Sequence, residues 1–170
     1  SGRNVFVMPK RPPRSNECYA LDKDLAAAST PNQALDIAMQ QAQVMDAPNW
    51  ANLLYALAHC KKKGGGLNIA SLRADPRWVR SCKELQSSLD HLTARDSANV
   101  IWSLATLDAK QEPLFLEAAS SLCNNKLAVC DPVSISKAAW ALTSVPNRDR
   151  RLDLYSKLAV PDRKSTRLNS

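Results

Sequence analysis

The strongest constraint on what this chain can fold into is a heptamer that occurs three times. The copies are Asn52-Leu53-Leu54-Tyr55-Ala56-Leu57-Ala58, Asn99-Val100-Ile101-Trp102-Ser103-Leu104-Ala105 and Lys137-Ala138-Ala139-Trp140-Ala141-Leu142-Thr143. Each sets an aromatic among small and branched apolar residues, with leucine two positions later. The aromatics Tyr55, Trp102 and Trp140 are 47 and 38 residues apart. Allowing about nine residues for a Lys-Gly insertion in the first unit leaves a period of about 38, within the range of helix-pair repeats. The register extends upstream, where Ala38, Leu85 and Cys123 correspond, as do Ala42, Leu89 and Leu127. The expectation is an all-α chain, an α-solenoid of antiparallel helix pairs, because a single helix pair cannot bury its apolar face without stacking on neighbours.

Capping signals place the helices. Thr30-Pro31 opens one with apolar residues at Leu35, Ala38, Met39, Ala42 and Met45, at three-and-four spacing. A second runs from about Trp50 to Cys60. Lys61-Lys62-Lys63-Gly64-Gly65-Gly66 then reads as a helix end with a flexible insertion: a phosphate-binding P-loop has glycines ahead of its lysine, and here the lysines come first. Asp75-Pro76 starts a third helix with a stripe running from Trp78 to Leu92. Asp96 is expected to cap a fourth, Glu112-Pro113 to begin a fifth and Asp131-Pro132 a sixth. Pro146 ends that one, and Leu152, Leu154, Tyr155 and Leu158 suggest a seventh.

On a helical wheel the signature helices are apolar over about 200° of their surface, as expected where a helix packs on its partner and on adjacent units. Tyr55, Trp102 and Trp140 are therefore read as core between repeats, in preference to a role in stacking on a base. The narrow face left over carries Asn52, Ala56 and His59, then Asn99, Ser103 and Thr106, then Lys137, Ala141 and Ser144. Two readings of it stand: a solvated face, or a strip where amides and hydroxyls meet the edges of RNA bases. On that second reading Asn52, His59, Asn99, Ser103, Thr106, Lys137 and Ser144 are the base-facing candidates. Arg77, Arg80 and Lys83, three apart on one helix, with Arg148, Arg150 and Arg151 later, are candidates for holding phosphates. An ordinary solubilising surface would look the same.

Composition narrows the class. Apolar residues make up 45% of the chain and aromatics only 5%, which favours helices packed through small residues. The net charge of +7 suits an anionic partner. Residues 161–170 are set aside as a non-native tail, since Asp162 to Ser170 looks like a translated sequencing adaptor; without them the charge is +5. The chain begins at Ser1 without Met and reads as a fragment. Residues 1–29, with Pro9, Pro12 and Pro13 among Lys10, Arg11 and Arg14, are expected to be a flexible basic arm, and residues 30–160 the helical-repeat domain. Cys18, Cys60, Cys82, Cys123 and Cys130 form no Cys-x-x-Cys pair and no metal spacing with His59 or His91, and Cys82 and Cys123 sit on apolar faces. No metal or cofactor is expected. His59 and Cys60 are adjacent and do not face each other on a helix, and no carboxylate pair appears, so catalysis is not expected either. No apolar run is long enough to cross a bilayer.

The first two heptamers resemble the core motif of octotricopeptide repeats, shared more loosely with FAST-kinase-like proteins, RAP-domain proteins and helical subunits of the RNA-editing substrate-binding complex. The resemblance covers residues 31 to about 160. It implies a mitochondrial or plastid α-solenoid that binds single-stranded RNA, acts in its processing, stability, editing or translation, and works with other RNA-processing proteins. The third copy departs from the motif in having Lys137 where the others have Asn, and no RAP domain is visible. An armadillo- or HEAT-like scaffold for protein partners is the alternative that the same periodicity allows.

Overall fold

The computed structural model describes residues 13–64, 66–145 and 147–159. Among these every regular element is helical. The helices are α1 (Asn16–Ala27), α2 (Pro31–Gln40), α3 (Ala47–Lys62), α4 (Ile69–Ala74), α5 (Pro76–Ser87), α6 (Ala94–Thr106), α7 (Pro113–Ser121), α8 (Pro132–Leu142) and α9 (Arg148–Ala159). Side-chain caps account for most of the starts, because each satisfies an amide that the first turn leaves without a partner. Thr30, Asp46, Asp75 and Asp131 cap α2, α3, α5 and α8, each with proline in the first turn. Helix α6 is capped by Thr93, and Asp96, the expected cap, instead accepts a hydrogen bond from the Thr93 amide, completing a capping box. At its other end Asp108 adopts φ 58°, and the bonds Asp108 N–H to Ala105 O and Ala109 N–H to Leu104 O close a Schellman motif.

The three signature helices lie side by side, α3 against α6 and α6 against α8. A second row runs from α2 to α5 to α7. Helix α2 rests on α3, the signature helix after it, whereas α5, α7 and α9 find their main cross-row partner in the signature helix that precedes each, namely α3, α6 and α8. The rows enclose a continuous core in which Leu53, Leu54, Leu57, Trp78, Leu85, Val100, Ile101, Leu104, Phe115 and Leu142 are buried.

Three segments differ from the expectation. Residues 16–27, placed in a flexible arm, form α1, which packs on α3 through buried Leu21 and Leu25. The prolines upstream obscured the three-and-four spacing of Cys18, Leu21 and Leu25; residues 1–12 lie outside the described residues, as does the 161–170 tail. The insertion after α3 contains α4, whose buried Leu72 anchors it. The stripe from Trp78 to Leu92 is not one helix, because α5 stops at Ser87 and Leu89 and Leu92 reach the core from a short 3-10 turn and the loop after it. Helix α7 is followed by a π-helical turn, Leu122–Lys126, that turns Lys126 inward. Its buried ammonium donates to Leu89 O at 2.8 Å and Ser97 Oγ at 3.1 Å. Burial lowers its pKa, against the opposing charges of Asp90 and Asp96.

Candidate functional site

The signature helices present a grid of nine side chains to the surface. Helix α3 contributes Asn52, Tyr55 and His59, α6 contributes Asn99, Trp102 and Thr106, and α8 contributes Lys137, Trp140 and Ser144 from its end. The spacing i, i+3, i+7 puts each trio on one helical face. Eight of the nine are half-buried and Trp140 is 51% exposed. This corrects the expected face at its middle position. Ser103, proposed as base-facing, is fully buried and donates its hydroxyl to Asn99 O at 2.7 Å. Its counterparts Ala56 and Ala141 are buried too. Small residues here let α3, α6 and α8 approach closely, and the large aromatic one position earlier is displaced about 100° around each helix toward the rim. Trp140, expected in the core between repeats, is therefore largely exposed, while Trp102 is half-buried against the core and Tyr55 is half-buried beside it in the ring ladder.

The aromatics nevertheless meet across the helices. Ring centroids are 5.4 Å apart for Tyr55 and Trp102 and 6.4 Å for Trp102 and Trp140, and His59 lies 4.4 Å from Tyr55 and 5.5 Å from Trp102. Cations sit on this ladder. Lys62 Nζ is 5.2 Å from the Trp102 ring, and Lys137 Nζ is 4.9 Å from Tyr55 and 5.8 Å from Trp102. Lys137 also donates to Asn99 Oδ1 at 2.8 Å and reaches Tyr55 Oη at 3.4 Å, so the departure from Asn in the third unit ties all three helices together. Lys61, on the other side of the α3 terminus, donates to the carbonyl of Thr106 at 2.6 Å. Burial lowers the pKa of His59, and the charges of Lys63, Lys62 and Lys137 lower it further, leaving a neutral imidazole at neutral pH. With no carboxylate bonded to them among the described residues, Lys62, Lys63 and Lys137 make the surroundings of His59 attractive to anions.

The upstream edge of the grid is set by residues that the sequence pattern did not single out. Arg14 donates to Asp46 through Nε at 2.6 Å and to Asp22 through Nη1 at 2.7 Å. Asn49 and Asn52 each donate to Asp22 Oδ1 at 2.7 Å. Burial pushes the Asp22 carboxyl up, but the bonds from Arg14, Asn52 and Asn49 and the guanidinium charge outweigh it, and its pKa is lowered. The same bonds raise the Arg14 pKa despite burial. Two openings flank this network. A cavity of about 560 Å³ lies between α1 and α3, and a groove of about 350 Å³ continues past Asn52 and Tyr55 toward Arg95, Asn99 and Lys137.

The expected phosphate cluster does not join the grid. Arg77 is held by Asp75, Asp36 and Asn32 on the second row, while Arg80 lies exposed, 3.7 Å from Glu84 in the same helix. Lys83 is exposed on that row as well. Arg151 donates to Val145 O, and Arg148 and Arg150 are exposed on α9.

Comparison with known protein families, curated proteins and solved structures gives no match. The chemistry of the grid therefore rests on its own side chains. Among the described residues no cluster of three or more His, Cys, Asp and Glu could hold a metal ion. Burial pushes the Cys82 thiol up to about 12 and Cys123 to about 11, and raises Cys60 and Cys130, so these cysteines are thiols rather than nucleophilic thiolates at neutral pH. No described helix is long and apolar enough to cross a membrane.

Proposed function

We propose that this chain is a non-catalytic module that binds single-stranded RNA along the grid of α3, α6 and α8, a short α-solenoid with a period of about 38 residues. The observation that carries the reading is the run of half-exposed rings Tyr55, Trp102 and Trp140 flanked by Lys62 and Lys137 and by amides at Asn52 and Asn99. Unpaired bases are held by stacking on such rings, and their backbone by nearby cations. Helices α3 and α8 carry no carboxylate at all, which keeps most of this surface free of charges that would repel phosphate. The likeness of the heptamers to octotricopeptide repeats supports the same reading. It extends the proposal to RNA processing, stability, editing or translation in a mitochondrion or plastid, alongside other RNA-processing proteins. Filter binding of single-stranded RNA by residues 1–160, alongside the full chain, is the direct test. Affinity that falls steeply with salt is expected; no retention at low salt would overturn the proposal. Co-purification of a nuclease-resistant protein partner would instead favour an armadillo- or HEAT-like scaffold.

A further inference from the structure

We propose that the cavity between α1 and α3 is a binding site for a single unpaired nucleotide. This rests on the RNA-binding reading but goes beyond the grid, because one wall comes from α1. The volume of about 560 Å³ falls within the range of about 300–1,000 Å³ typical of small-molecule sites. Its lining sorts into the three kinds of contact that a nucleotide needs. Tyr55 and the alanines Ala26, Ala28 and Ala56 offer a flat apolar wall for a base. Asn52 supplies an amide whose nitrogen is engaged by Asp22 and whose oxygen has no donor among the described residues, so it can accept from an exocyclic amine or ring N–H. Lys63 and His59 supply the phosphate end, with Lys62 and Lys137 near enough to act on His59.

The one carboxylate in the lining is Asp22, and it is neutralised. Its Oδ1 accepts from Arg14, Asn49 and Asn52, and its Oδ2 accepts from Arg14. A phosphate therefore meets a paired acid and cations that have no carboxylate partner among the described residues. Asp22, Asn52 and Tyr55 also line the adjoining groove, together with Asp96, whose carboxylate accepts from the Thr93 amide, and there Arg95 and Lys137 would receive the next phosphate of a strand. The shared chemistry is a base carrying a phosphate, from a free mononucleotide or from a nucleotide within an RNA chain.

The experiment follows tryptophan fluorescence of the full chain. Trp102 lies beside Tyr55 and His59, while Trp50 and Trp78 are buried, 3% and 1% exposed, and serve as background. AMP, CMP, GMP and UMP are titrated separately, as is an eight-nucleotide single-stranded RNA. Ala26→Phe fills the cavity from an exposed position on α1, and Lys63→Gln removes the phosphate partner; circular dichroism melting verifies that both fold. Saturable quenching by at least one mononucleotide, weakened about tenfold or more by either variant, is expected. RNA that binds the wild type and both variants equally, with no response to mononucleotides, overturns the cavity and leaves the RNA-binding reading standing. Mononucleotide binding that the variants abolish, without any binding of RNA, keeps the cavity and overturns the RNA-binding reading.

Discussion

Two neighbouring positions in each heptamer have opposite fates, and their volumes decide it. Ser103 is fully buried where α6 meets its neighbours, whereas Trp140 is 51% exposed on α8. Ser103→Leu should therefore destabilise the fold by about 2 kcal/mol through overpacking, while Trp140→Ala should cost less than about 1 kcal/mol because so much of the ring is already in water. Urea unfolding midpoints check both, and the reverse order would mean that the aromatic is core after all. His59 gives a prediction with a definite sign. It faces Tyr55, Trp102 and three lysines, with Asp22 lining the same cavity from α1. Burial and those lysines hold its pKa below the ordinary 6.5. A bound phosphate raises it, so binding takes up a proton and affinity should increase as pH falls from about 8 toward 6. Titrations across that range should lose this dependence in His59→Gln; an unchanged profile would remove His59 from the anion site.

At the scale of the helix, α1 is attached by charge as well as by the burial of Cys18, Leu21 and Leu25. Arg14 joins Asp22 on α1 to Asp46 at the start of α3. Removing it leaves two carboxylates facing one another. Arg14→Ala should cost about 2 kcal/mol, below the range for a fully buried pair because the carboxylate side chains are still 23% and 27% exposed. Hydrogen exchange should accelerate in the α1 amides while those of α6 stay protected; uniform loss of protection would show that α1 is not a separable element. The second-row helices carry a related lesson. Chain order pairs α5 and α7 with the signature helices that follow them, but both rest mainly on the one before, so spacing identified the elements without identifying their partners.

For the molecule as a whole, the distribution of charge matters more than the net charge of +7. Arg77 is consumed by internal ion pairs, whereas Lys62 and Lys63 stand at the end of α3 beside His59 and Lys137 reaches over the middle rings Tyr55 and Trp102. If these three meet phosphates, log affinity for single-stranded RNA should fall with log salt with a slope near −2, at about 0.7 per phosphate. Lys62→Gln combined with Lys63→Gln should flatten that slope to less than half, while Arg77→Gln should leave it unchanged, as salt-dependent filter binding can check. What the sequence determined by itself is the all-helical character, the starts of α2, α5, α7 and α8 and the recurrence of the signature, because caps, prolines and apolar spacing act within a few residues of chain. It also placed Asn52, His59, Asn99, Thr106, Lys137 and Ser144 on one common face. Tertiary structure alone decided that the signature aromatics belong to that face and Ser103 does not, since the choice depends on how closely neighbouring helices approach. It likewise decided that α1 closes a cavity against α3, because Asp46 lies 32 residues from Arg14 and joins it and Asp22 only when the helices pack.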